Sequence, residues 1–100
     1  MDDDLYKKLI FENEEKGTQY NLTVSEFRGV QYLGLRKYFL SYEGEWIPTK
    51  EGATIPATIQ NMFALLDGLI EICSKEESVD VINKYFSDKI SHLKNPEIPV

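Results

Sequence analysis

The chain of 100 residues holds one cysteine, one histidine and one tryptophan, and its eleven cations are outnumbered by seventeen acids. A lone thiol allows no internal disulfide, and with a lone imidazole it leaves out the usual ligand set of a zinc cluster. No apolar run approaches the ~20 residues that cross a bilayer. The start, MDDDLYKK, is acidic where a signal peptide is basic. An intracellular protein with no membrane partner is expected, its core held by packing. Cys73 falls on an apolar helical stripe and reads as an inert core thiol.

Catalytic parts are missing as well. His92 lies near the end of a charged helical stretch, and no motif places a serine or cysteine beside it. Glu43 and Glu45 flank a turn glycine, where solvated acids are common, and neither a glycine-rich phosphate loop nor metal-ligand spacing occurs. The expectation is a protein that is not an enzyme, with no catalytic residue, no metal and no cofactor.

A net charge of -6 repels polyanions, but the charge is uneven. Residues 1–17 carry six acids and three bases, residues 18–58 four of each, and residues 59–100 seven acids and four bases. The acidity therefore sits at the two ends. The neutral middle contains FRGVQYLGLRKYF, Phe27 to Phe39, in which Arg28, Arg36 and Lys37 are interleaved with Phe27, Tyr32, Tyr38 and Phe39. Cations for phosphates and flat rings for bases are what a protein uses to hold a single nucleic-acid strand.

Residues 1–17 show no sustained period apart from the cluster Leu9 to Phe11, and read as a largely mobile acidic arm. From Thr18 the period is two, with Tyr20, Leu22 and Val24 alternating with Asn21, Thr23 and Ser25. Phe27 breaks that phase, which predicts a bulge or sharp twist near Ser25 and Glu26. A turn at Arg28-Gly29 leads into a strand over Val30 to Leu40. Glu43-Gly44 and Glu51-Gly52 are two more turn signals, leaving short strands at Glu45 to Pro48 and Ala53 to Ile55. After Ile55 the period becomes 3.6. Pro56 suits a first helical turn with Thr54 as cap, and Ile59, Met62, Phe63, Leu66, Leu69, Ile70 and Cys73 form one apolar stripe, widened by Leu65 and Ile72. This helix is expected to lie across the open face of the sheet. Ser78 is placed to cap a second helix with Val79, Ile82, Phe86, Ile90 and Leu93 on one face, ended by Asn95-Pro96. The fold class is α+β: a four-stranded antiparallel meander, a helix, and an additional C-terminal helix over residues 75–100.

Five pieces in register resemble the single-stranded-DNA-binding transcriptional coactivators called positive cofactor four. They are Phe27-Arg28-Gly29, Leu35-Arg36-Lys37-Tyr38-Phe39, Glu43-Gly44-Glu45, Pro48-Thr49-Lys50-Glu51-Gly52 and Pro56. The resemblance covers roughly residues 18–74. It implies a β-β-β-β-α protomer that dimerises through its helices and holds single strands on curved sheets. Carried over position by position, it implies that Arg28, Arg36 and Phe39 contact nucleic acid, with Phe27 and Lys50 as additional candidates. Tyr32 and Trp46 are placed to add stacking, Trp46 alternatively packing or dimerising. Phe63, Leu65, Leu66, Leu69 and Ile72 would form the dimer interface. Four positions where family members often carry cations hold Ser25, Val30, Ile47 and Glu51 instead. Fewer neutralised phosphates imply weaker binding with a flatter salt dependence.

Two functions follow from different classes. The first is a non-catalytic homodimer that binds single-stranded DNA or RNA and acts as a transcriptional coactivator or regulator, nuclear in a eukaryote. The second is a protein-interaction module of the same fold, with weak or no nucleic-acid binding, that meets transcription machinery through its acidic ends or extra helix.

Overall fold

Four antiparallel strands in the order β1-β2-β3-β4, followed by two helices, make up the computed structural model, which describes residues 4–73 and 76–93. The strands are β1 Asp4–Asn13, β2 Thr18–Phe27, β3 Val30–Leu40 and β4 Trp46–Pro56; the helices are α1 Ile59–Ile72 and α2 Glu76–Leu93. The α+β class and the meander match the change of period from two to 3.6. The membership of the meander differs from expectation at both of its edges.

The segment read as a mobile arm is a ten-residue strand paired antiparallel with β2 along its length. Register shifts between Asp4 and Tyr6 and between Leu9 and Phe11 switch which residues face which side. These shifts erase the two-residue period in a segment whose Leu5, Tyr6, Leu9, Ile10 and Phe11 are otherwise good strand formers. At the other edge, the two short strands expected around Glu51-Gly52 are one strand, β4. The glycine is not a hairpin turn but part of a bulge: Arg36 pairs with Gly52 and Tyr38 with Pro48, so three residues of β4 stand opposite Lys37 alone. Gly52 has φ 135, and a Cβ there would collide with the Leu35 carbonyl oxygen. Only glycine fits.

The β2–β3 hairpin closes on the expected two-residue turn, with Phe27 paired to Val30. Arg28 (φ 53) and Gly29 (φ 79) are both left-handed, the geometry whose twist matches that of the flanking strands. The β2–β3 pairing runs unbroken from Thr18 to Phe27, and the irregularity expected near Ser25 and Glu26 lies instead on the β1 side, where the register shifts between Asp4, opposite Ser25, and Tyr6, opposite Val24. Ser41 organises the last turn: its hydroxyl accepts from the Glu45 N–H at 3.1 Å and its carbonyl from the Gly44 N–H at 3.0 Å.

Pro56 ends β4 and does not enter the helix. Thr58 is the cap in place of Thr54, its hydroxyl accepting from the Asn61 N–H at 3.1 Å, while Asn61 Nδ2 donates back to the Pro56 carbonyl at 2.9 Å. No residue of α1 is buried, and Cys73, just past its end, is exposed where a core thiol was expected. Ser78 lies inside α2, which starts at Glu76. The side chain of Leu93, the boundary at residues 74 and 75, and the Asn95-Pro96 stop lie outside the described residues.

The chain divides into two compact units, one ending at Met62 that contains the sheet, the other beginning at Phe63 that contains most of α1 and all of α2. In the helical unit Leu66 and Ile70 of α1 line a cavity of about 420 Å³ with Ile82, Phe86 and Ile90 of α2. The Tyr85 and Phe86 rings meet edge to face with centroids 4.8 Å apart. Among the described residues no helix is long and apolar enough to cross a membrane.

Candidate nucleic-acid interface

Strand pairing sorts the sheet into two faces, because directly opposed residues share a face and neighbours along a strand alternate. Gln19, Asn21, Thr23, Ser25 and Phe27 of β2 lie opposite Tyr38, Arg36, Gly34, Tyr32 and Val30 of β3, and together make a polar and aromatic face. Lys7 and Glu12 of β1 join it opposite Thr23 and Gln19, and Gly52 and Thr54 of β4 opposite Arg36 and Gly34. Trp46, opposite Leu40, ends the same face and is half-buried. The other face carries Tyr20, Leu22, Val24, Leu33, Leu35, Phe39, Ile47 and Ile55.

The polar face is the more buried of the two along β2. Asn21 is 2% exposed and Thr23 3%, while Leu22 and Val24 on the opposite face remain half-exposed. A hydrogen bond from Tyr38 to Asp4 gives the reason. The hydroxyl donates to the Asp4 carboxylate at 3.1 Å, although Tyr38 pairs with Gln19 and Asp4 with Ser25. On a flat sheet six residues separate those positions by roughly 20 Å along the strand. That gap exceeds what the two side chains span, so the sheet curls toward the polar face and makes it concave. The buried amides inside this hollow are satisfied: Asn21 donates to Gln19 at 3.0 Å, and Gln19 to Glu12 at 2.8 Å. Buried and unsatisfied polar atoms are absent among the described residues.

Tyr38, 4% exposed, is the floor of the hollow. Burial pushes its phenol pKa above the usual value near 10, the Asp4 charge and hydrogen bond push it further, and Arg36 works against them. Lys7 Nζ stands 5.0 Å above the Tyr38 ring.

The residues expected to hold nucleic acid are distributed unequally over this geometry. Phe27, Tyr32, Arg36 and Trp46 share the concave face. Arg28 occupies the hairpin tip beside it, its guanidinium 5.0 Å from the Phe27 ring, and both are exposed. Lys50 is exposed in the β4 bulge. Phe39 is three residues from Arg36 on an unbulged stretch of β3, so it projects from the opposite face. There it borders a cavity of about 540 Å³ whose charged lining residues are Glu14, Glu15, Lys16 and Glu43. Lys37 also points away from the hollow, and Glu51 holds it at 3.8 Å. Lys7 was not singled out from sequence as a site residue; the signal available was the basic pair in LYKKLIF, hidden by the register shifts of β1.

The family model described as Transcriptional Coactivator p15 (PC4) matches residues 15–63. Among solved structures, a bacteriophage T5 homolog of the eukaryotic transcription coactivator PC4, implicated in recombination-dependent DNA replication, is similar over 86% of this chain and 94% of its own, with 36% identity and a TM-score of 0.67. This chain belongs to the PC4 family. No curated protein sequence matches it.

The four positions where PC4 proteins often carry cations can now be placed. Ser25 lies on the concave face opposite Tyr32, and Val30 opposite Phe27 at the hairpin mouth. Ile47 is on the apolar face opposite Phe39, and Glu51 is in the bulge, engaged with Lys37. The stretch matched by the PC4 model starts after β1 and ends within α1, whereas the similarity to the phage structure extends over 86% of the chain.

Proposed function

We propose that the chain binds single-stranded DNA or RNA without catalysis, as a homodimer, and serves as a coactivator or regulator of transcription. The observation that carries this is the concave face, on which Phe27, Tyr32 and Arg36 share one side with Arg28 at its tip. Exposed rings stack on any base, and the two arginines meet phosphates, so affinity comes with little sequence preference. The homodimer is supported by the apolar stripe of α1, where Phe63 is 66% and Ile72 74% exposed in a single copy and Leu65, Leu66 and Leu69 are also uncovered. A contiguous apolar strip of that kind marks an interaction surface.

Anisotropy titration of a labelled ~20-nucleotide oligo(dT), at low and moderate salt, tests the binding. Wild type is expected to bind at low salt. Arg36→Ala and Phe27→Ala should each weaken binding about tenfold, a loss of ~1.4 kcal/mol that is in the range of one stacked base. Phe39→Ala should cost less, because Phe39 lies on the other face. No wild-type binding at low salt would sink the proposal.

The cavity bordered by Phe39, where three glutamates outnumber Lys16, favours the second reading, in which the same fold is a module for a basic protein partner. Under it, oligo(dT) binding is absent, and charge reversal at Glu14, Glu15 and Glu43 abolishes capture of a basic partner from transcription machinery.

A further inference from the structure

We propose that Lys7 of β1 is a phosphate-binding residue of the concave face, supplying a cation from a strand that lies before the stretch matched by the PC4 family model; this rests on the single-strand reading above. Three independent observations converge on it. Lys7 pairs opposite Thr23, which places it on the same face as Arg36, Tyr32 and Phe27, whereas its neighbour Lys8 pairs opposite Leu22 and belongs to the apolar face. No carboxylate pairs with Lys7 among the described residues, in contrast to Lys37, which Glu51 engages. Two described carboxylates of β1 on this face each accept a hydrogen bond, Asp4 from the Tyr38 hydroxyl and Glu12 from the Gln19 amide. Lys7 therefore keeps its charge available while its ammonium rests above the Tyr38 ring at 5.0 Å.

The floor beside it is low. Thr23, Gly34 and Thr54 follow Lys7 across the sheet in one row, and a Cβ on Gly34 would stand 3.0 Å from the Thr54 methyl and 3.1 Å from the Thr23 hydroxyl. A backbone strand crossing that row meets no tall side chain until it reaches Lys7. Lys7 and Arg36 are two strands and two residues apart, on the order of 10 Å, far enough to engage different phosphates. A cation arriving from β1 offsets part of the deficit left by Ser25, Val30, Ile47 and Glu51.

The full chain is titrated with labelled oligo(dT) over a series of salt concentrations as wild type, Lys7→Ala, Lys7→Arg and Lys8→Ala. Each phosphate neutralised on a single strand contributes a slope of about -0.7 in log K against log salt. Lys7→Ala is expected to weaken low-salt binding several-fold and to flatten the slope by about 0.7 per strand bound. Lys7→Arg, which keeps the charge, should restore the slope, and Lys8→Ala should leave it unchanged. A wild-type slope in Lys7→Ala, or equal losses in Lys7→Ala and Lys8→Ala, overturns the assignment of Lys7 while leaving the single-strand reading intact. Absence of wild-type binding overturns both.

Discussion

Tyr38 shows how one residue couples fold and site. Its hydroxyl reaches Asp4 across the curled sheet, its ring lies beneath Lys7, and its burial raises the cost of ionising it. Because the folded state holds this proton more tightly than the unfolded chain does, its contribution to stability is complete below about pH 10 and is lost as pH rises through the higher folded value. Tyr38→Phe removes one hydrogen bond and should cost about 1 kcal/mol in chemical denaturation at neutral pH. In a spectrophotometric titration the late-ionising tyrosine of the wild type should disappear from that variant. A variant that keeps the late step would assign it to one of the other five tyrosines.

The β2–β3 hairpin sets conformational ease against binding. Arg28 is a non-glycine residue with positive φ, in a position that asparagine or glycine occupies with less strain. Its side chain nevertheless projects a cation beside the exposed Phe27 ring, the pair that opens the concave face. Arg28→Asn should raise the thermal midpoint by a few degrees, corresponding to up to ~1 kcal/mol of relieved strain, and weaken oligonucleotide binding at low salt. A variant with unchanged stability and unchanged affinity would reduce Arg28 to a solvated turn residue. The β4 bulge has a related character: Gly52 absorbs the strain of three residues opposed to one, and the bulge presents Lys50 at the sheet edge.

Across the whole chain, apolar surface exceeds what one copy buries. Among the described residues the buried apolar side chains are Leu33 and Tyr38, while every large apolar residue of the α1 stripe stays open. Small domains bury a limited fraction of their surface, and pairing two copies is an economical remedy. Phe63→Asp tests this cleanly, since its side chain is largely exposed in the single copy and its loss opens no cavity. Wild type should elute with twice the chain mass in size exclusion with light scattering at micromolar concentration, and Phe63→Asp with the mass of one chain. A wild-type monomer would count against the dimer.

Local periodicity was enough to delimit β2, β3, the Arg28-Gly29 turn, the α1 stripe and the existence of α2, because each is encoded by residues within one or two turns of one another. The register of motifs from Phe27 to Pro56 likewise carries the resemblance to the PC4 family. Three matters lay beyond that reach. β1 joins the sheet only through pairing with residues 21 positions away at its start, and its register shifts scramble the alternation by which a strand is recognised. Gly52 signals a turn in any local window, yet the ladder with β3 continues past it as a bulge. Which face each aromatic and cation occupies depends on register, since a shift of one residue reverses every side chain. That is why Arg36 and Phe39, three residues apart in one motif, separate in space, and why Lys7, distant in sequence, joins Arg36.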